Sequence, residues 1–384
     1  MQHDLEYAAK VMALDRIPAK EELRYTTRFS QERFEAWRTM GDPAADECIR
    51  ALVEINGRIT NMSDLLKEVK EHRADSAACE AFLQEAWTVP AWMDFDKIKR
   101  GQELIAVYSP FMAVSLFSAL VGGAMFRKAA IVTSMGQLGG PNSSRRVQET
   151  SFMIGKMVLP GELEPGGEAH DTLVRTRLLH AALRHHLSAT GKFKHPTEQA
   201  INQHDLAITL GLFGYVNLRS LRHVGISLST SDTASFMLMW KYAGYLLGIE
   251  ADLLPDSLLD QQEFFMASML DQAKPMGSGP REILDGVAEK AASESGFSVT
   301  LLQRYLYQLA QYMTGNDYMS GTGIEDEGPF YWGRALTYAS GTLTNVVDQY
   351  VPFGTQALYA WNIKRMQRSF RNKELKESGY RAKL

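Results

Sequence analysis

Apolar side chains recur every three or four residues along most of this 384-residue chain. Residues 20–90 carry this pattern between charged positions, and strand-like alternation is rare. Further helices are predicted over about 203–222, 231–247, 297–313 and 330–350. Residues 271–286 contain Pro, Gly and Ser and are predicted to form a surface loop. The pattern therefore predicts an all-α protein.

One predicted helix carries an unusual amount of positive charge. Residues 175–187 read RTRLLHAALRHHL, which places three Arg and three His among apolar positions. Asp171 is predicted to cap the start of this helix, and Gly191 is predicted to end it. A cation among buried apolar side chains is costly unless something binds it. This helix is therefore the best candidate for a binding site.

Arg177, His180 and Arg184 fall on one stripe of that helix. Two neighbouring arginines disfavour a protonated imidazole, and the neutral imidazole is the form that binds a metal. The arginines would need anionic partners, and the propionates of a haem could serve as bidentate acceptors. Ala181 and Ala182 are small enough to let a flat macrocycle approach. The alternative is an ordinary core histidine, which the residues alone favour over a haem ligand.

Composition and charge exclude several other classes of protein. The net charge of −4 gives no electrostatic reason to expect nucleic-acid binding. Cys48 and Cys79 lie far apart in the sequence without a CxxC pair, which argues against a disulfide framework or a cysteine-rich zinc site. The first residues lack the basic and apolar regions of a signal peptide, so we expect a cytoplasmic protein. Phosphate-loop, GxSxG and HExxH motifs are absent from the sequence.

Two segments raise the question of a membrane. Residues 104–126 carry no charge and are long enough to span a bilayer, but Pro110 and the pair Gly122 and Gly123 interrupt them. We expect a buried helix pair that lines a pocket, rather than a membrane span. Residues 364–384 carry eight Lys or Arg and two Glu, and a solvated helix is favoured there over a patch for anionic lipid or an acidic partner.

Five motifs resemble one known family, the latex clearing protein (rubber oxygenase) and mpaB-type haem oxygenases. The most specific is RLLHAALR at 177–184, where the family has a haem-ligating His between two Arg. The others are MGDPAAD at 40–46, RVQET at 146–150, INQHD at 201–205 and WKYAGYLLG at 240–248. They stand in the family's order and together cover about residues 40–255.

The resemblance implies a globin-like multi-helix core around b-type haem, with N- and C-terminal helical extensions. Residues 1–95 would form the N-terminal extension, and residues 96–384 the haem-binding oxygenase domain, within one continuous unit. His180 would be the proximal iron ligand, and Arg177 and Arg184 would bind the propionates or orient the helix. Arg146 and Thr150 would lie beside the haem.

The same resemblance implies a haem-b-dependent oxygenase that acts with O2 on an apolar, unsaturated or isoprenoid-like small molecule. The alternatives are a haem peroxidase or isomerase that uses peroxide, and a non-enzymatic haem- or lipid-binding helical protein. The sequence departs from the family on the distal side. Glu149 stands where the family has a lysine, and residues 129–132 (AAIV) offer no counterpart to its distal acid. Glu149 would either replace that acid or face solvent. The sequence does not indicate an oligomeric state.

Overall fold

The computed structural model describes residues 23–59, 64–112, 115, 150, 152–272, 279–314, 324 and 331–377. All regular secondary structure within these ranges is helical, which confirms the all-α prediction. The helices are α1 (Gln31–Arg38), α2 (Pro43–Asn56), α3 (Leu65–Glu71), α4 (Ala77–Trp87), α5 (Phe95–Val107), α6 (Glu168–Ala189), α7 (Gln203–Gly211), α8 (Asn217–His223), α9 (Thr230–Leu246), α10 (Leu258–Gln272), α11 (Gly279–Ser295), α12 (Val299–Thr314), α13 (Tyr331–Tyr350) and α14 (Gly354–Glu377).

Short polar side chains fix where many of these helices begin. In each case the cap accepts a hydrogen bond from a backbone N–H three residues further on, which satisfies one of the donors left open in the first turn. These caps are Ser30, Asp42, Ser76, Asp94, Asn202 and Ser229. The caps of α2 and α7 belong to two of the motifs singled out above.

The core is one hydrophobic cluster to which helices along the chain contribute. α5 packs along α9, α14 packs on α5, and α6 packs against α2, α3 and α9. Gly101 allows α5 to approach α9 closely, because a Cβ there would lie 2.7 Å from the carbonyl oxygen of Ser235. Residues on both sides of the predicted boundary at 95/96 enter this cluster. The division into two parts stays a prediction.

Several predicted boundaries were wrong. α6 begins at Glu168 behind Gly167, so Asp171 lies in its first turn and does not cap it. The helix predicted over about 203–222 is interrupted by a π-helical turn at Leu212–Val216. The predicted loop at 271–286 is helical at both ends, where α10 reaches Gln272 and α11 starts at Gly279.

The apolar segment at 104–126 is described only at its start and at residue 115. Leu104 to Val107 complete α5 and are buried, in line with the expectation of a buried helix. Residues 109–112 are helical, and the remainder of the segment lies outside the described residues. Within the ranges that the structure describes, no helix combines the length and apolar character needed to cross a bilayer.

Candidate haem-binding helix and its support

α6, the helix that contains the RLLHAALR motif, has two distinct long faces. One face is fully buried against α2 and α3 and includes His170, Leu173, Arg177, Ala181 and Arg184. The second face is only half-buried and contains His180. The two arginines and His180 were predicted to project together, but the arginines lie within the buried face and His180 lies at its border.

Arg177 is held by two carboxylates of the chain itself. Its Nε donates to Oδ2 of Asp42 at 2.5 Å, and its Nη2 donates to Oδ1 at 2.8 Å. Nη2 also donates to Oε1 of Glu85 at 2.6 Å, from α4. Burial by itself would lower the pKa of Arg177, but the hydrogen bond and charge of Asp42, with a smaller contribution from Glu85, raise it above its ordinary value. The guanidinium is therefore a permanent cation inside the core.

Arg184 makes a similar connection two turns further along α6. Its Nε donates to Oδ1 of Asp46 at 2.8 Å, and its Nη1 donates to the carbonyl oxygen of Ile201 at 2.9 Å. Asp46 lies one turn after Asp42 on α2, and its Oδ2 accepts from the Asp42 backbone N–H. We call these five side chains, Arg177, Arg184, Asp42, Asp46 and Glu85, the arginine clamp.

Gln203 and Gly248 close the clamp from the side of α7 and α9. Nε2 of Gln203 donates to the carbonyl oxygens of Gly41 (2.7 Å) and Gly248 (2.9 Å), and its Oε1 accepts from the backbone N–H of Glu250. Gly248 adopts a φ of +75°. A Cβ there would lie 2.1 Å from Oδ2 of Asp42. Only glycine fits both the backbone conformation and the space.

Four of the five motifs noted in the sequence therefore meet at one polar network behind α6. From the sequence, Arg177 and Arg184 were predicted to bind the cofactor, with haem propionates as their anionic partners. In the structure those partners are Asp42, Asp46 and Glu85. Each guanidinium faces a carboxylate, so the arginines do not act on His180 as bare positive charges.

The clamp carboxylates were missed as functional residues, although a signal was present. Two arginines in a helix with apolar neighbours require negative charge nearby. The only acidic residues of the GDPAAD motif stand one helical turn apart, a spacing that places both on one helix face. What the sequence could not supply is the pairing across 135 residues between Asp42 and Arg177.

His180 lies on the half-buried face of α6, next to Thr176, Leu179, Leu183 and Leu187. These positions recur at helical spacing and form an apolar strip that is only partly covered. Nδ1 of His180 is shielded from solvent. Ala181 and Ala182 were expected to leave room for a flat macrocycle beside the helix. In the structure both are buried and pack into the hydrophobic core.

The other histidines of α6 take different places. His186 is exposed and His185 is half-buried. His170 is fully buried, with its Nε2 3.1 Å from the carbonyl oxygen of Ala86 and its ring packed edge-on to Trp87. Among the described residues, no group of three or more His, Cys, Asp or Glu is arranged to hold a metal ion.

The remaining predicted site residues are Arg146, Glu149 and Thr150. Arg146 and Glu149 lie outside the described residues. Thr150 is helical and half-buried. The roles assigned to these three residues stay predictions.

The two cysteines lie close together in the structure. They are 31 residues apart in the sequence, and their Sγ atoms lie 3.5 Å from each other in the core. The contact joins α2 to α4, beside the arginine clamp. The hydrogen bond with Cys48 lowers the pKa of Cys79. Both residues are free thiols.

Comparison with known proteins settles the family. A model of the catalytic domain described as "ER-bound oxygenase mpaB/B'/Rubber oxygenase" matches residues 106–343. The chain belongs to this family. It is 22% identical over 347 residues to the rubber oxygenase of Streptomyces sp. (strain K30), which covers 86% of this chain and 81% of that protein. Its fold is similar to the closed state of latex clearing protein LCP, with a TM-score of 0.61 at 17% identity, over 85% of this chain and 90% of the other.

The family match begins inside α5, so α1 to α4 precede it. These helices nevertheless supply all three carboxylates of the arginine clamp. The candidate site of this oxygenase-family chain thus depends on residues outside the matched catalytic domain.

Proposed function

We propose that this chain is a haem-b-dependent oxygenase that uses O2 on an apolar, unsaturated, isoprenoid-like small molecule. Family membership supports the oxygenase class. The observation that carries the haem assignment is the position of His180, on a half-covered apolar strip of a helix fixed from behind by buried ion pairs.

The residues present fit a haem. A haem iron needs one proximal ligand from the protein, and the imidazole of His180, on an apolar face of α6, meets that need. Leu179, Leu183 and Leu187 would lie against the apolar part of the macrocycle. The arginine clamp leaves little capacity for propionates, because Arg177 and Arg184 already bind carboxylates. Arg146 and Thr150 are therefore the proposed polar contacts of the haem.

When bound, haem b would supply the iron that activates O2. The protein's part is to hold one face of the iron through His180 and to keep that imidazole in place. Rotation or sliding of α6 would carry His180 away from the iron, and the ion pairs from α2 and α4 oppose both movements. Arg177 and Arg184 are accordingly positioning residues. Glu149 is the proposed distal acid or base.

The substrate proposal follows from the relative's name and from this chain's departures from the family pattern. Rubber oxygenase is named for a polyisoprene substrate. This chain lacks the family's distal lysine and has Glu149 instead. We therefore assign it a smaller isoprenoid-like molecule with a carbon–carbon double bond.

The test is isotope labelling of product. Haem-loaded protein is incubated with short unsaturated isoprenoids under 18O2, and separately with labelled peroxide under argon. The proposal expects label from O2 in the product and no turnover with peroxide alone. Label only from peroxide would establish the peroxidase alternative, and haem binding without any product would leave a haem-binding protein. Glu149→Gln should lower turnover while leaving haem content unchanged.

A further inference from the structure

The C-terminal helices α13 and α14 expose an unusual amount of apolar surface. Leu336, Ala339, Leu343, Val346 and Tyr350 recur every three or four residues along α13, and all are exposed. The opposite side of the helix packs on the protein through Gly341, where a Cβ would lie 1.8 Å from the carbonyl oxygen of Val224, and through the buried Asp348. α13 therefore has an apolar face without a partner among the described residues, of a kind that marks an interaction site.

The turn between α13 and α14 continues this face. Tyr350, Val351 and Phe353 are exposed there, and the Phe353 side chain is 81% accessible. Phe353 also adopts a φ of +61°, a conformation that is unfavourable for a bulky residue. Neither the exposure nor the backbone conformation of Phe353 stabilises the isolated fold. Both are explained if the ring inserts into an apolar partner.

Positive charge follows on α14, the helix directly after the apolar face of α13. On α14, Trp361, Lys364, Arg365 and Arg368 are exposed and share one side of the helix at helical spacing. More basic residues follow to the end of the chain, while the whole protein has a net charge of −4. The cationic end is therefore attached to an acidic remainder, which orients the molecule towards a negative surface.

Acidic side chains do not offset this charge. Asp348 is the sole Asp or Glu of the sequence between residues 331 and 373. It is buried, and the hydroxyls of Tyr108 and Thr355 donate to its two carboxylate oxygens, each at 2.7 Å. The exposed positions named on α13 and α14 combine aromatic rings with basic residues, and the next acidic residues along α14 are Glu374 and Glu377.

We infer that α13 and α14 form a docking surface for the face of an anionic lipid bilayer. Aromatic side chains, Trp and Tyr above all, favour the boundary between lipid and water, and Lys and Arg bind anionic headgroups. A second copy of the chain fits less well, because two such surfaces would bring like charges together. The surface lies on the membrane and does not cross it. The sequence alone favoured a solvated tail, and the exposed apolar face changes that conclusion.

The experiment is co-sedimentation of the full chain with lipid vesicles. We expect binding to phosphatidylcholine vesicles that contain phosphatidylserine, and much weaker binding to phosphatidylcholine alone. Phe353→Asn should weaken binding roughly tenfold, because a buried aromatic ring is lost. Asn accepts a positive φ, so this variant should melt no lower than the parent. Adding Trp361→Ser should weaken binding further.

Two further variants separate the contributions. Replacing Lys364, Arg365 and Arg368 by Gln should remove the preference for phosphatidylserine, since each basic residue near an anionic leaflet strengthens binding by roughly fivefold. Ile55→Ser, an exposed apolar position on α2, is the control and should bind as the parent does. The inference is overturned if no vesicle binds, or if the aromatic variants bind as well as the parent. A dimer in sedimentation velocity that Phe353→Asn dissociates, without vesicle binding, would assign the surface to a second copy.

Discussion

Replacing Asp42 by Asn tests whether the arginine clamp holds α6 in place. The carboxylate of Asp42 and the guanidinium of Arg177 are 3% and 5% exposed, and they share two hydrogen bonds. Removing one partner of a buried pair costs about 3–5 kcal/mol, because the other charge stays buried. Asn preserves the N-cap of α2, so the loss reports on the ion pair and not on the cap. Because Glu85 still faces Arg177, we expect the free energy of unfolding to fall by about 3 kcal/mol, the lower end of this range.

The matched control is Glu85→Gln. The Glu85 side chain is 47% exposed, so solvent screens its charge and the expected loss is below about 1 kcal/mol. The assay is urea unfolding followed by circular dichroism and by tryptophan fluorescence, for both variants and the parent. Equal losses for the two variants would refute the reasoning, as would an Asp42→Asn loss below about 1 kcal/mol. If α6 also carries the haem ligand, Asp42→Asn should bind haem more weakly, whereas Glu85→Gln should not.

Three other predictions concern single features of the structure. Gly248→Ala should destabilise the protein by about 2 kcal/mol more than Gly57→Ala in the same urea assay. Both glycines have positive φ, but only at Gly248 would a Cβ meet other atoms, so equal losses would contradict the packing described here. Burial first, then a nearby aspartate, raises the pKa of Tyr25 from 10.0 to about 12. The neutral phenol therefore stabilises the fold fully below pH 10, that contribution is lost as the pH rises towards 12, and Tyr25→Phe should flatten this part of the stability profile. Cys48 and Cys79 are fully buried, so a thiol reagent should label them only after unfolding, and rapid labelling of native protein would contradict their placement.

Helices and their apolar faces could be predicted from the sequence because helix periodicity is local. α9, α12 and α13 lie within a few residues of their predicted positions. The boundaries that failed depend on tertiary context. The π-helical turn inside the predicted 203–222 helix has Gly214 at its centre, where a Cβ would lie 2.2 Å from the Gln261 side chain on α10. No spacing rule within one segment could reveal that approach.

The candidate site was predictable in its composition but not in its connections. His180 and its two arginines stood out because cations are unusual in an apolar helix. The same argument could not say which anions balance Arg177 and Arg184, since Asp42 and Asp46 are distant in the sequence. The charge pattern pointed to haem propionates, whereas in the structure the chain's own carboxylates bind both guanidinium groups. These ion pairs favour the second of the two roles expected of the arginines, that of orienting the helix, and the roles of both arginines and of His180 stay predictions.

The most direct test of the central claim is a haem titration of two single-histidine variants. His180→Ala removes the proposed ligand, and His186→Ala removes an exposed histidine from the same helix. Each variant and the parent is titrated with haem b, and the Soret band is recorded. We predict the same band and affinity for the parent and His186→Ala, and a lost or shifted band with weaker binding for His180→Ala. A parent-like Soret band and affinity in His180→Ala would contradict the assignment of His180 as the proximal ligand.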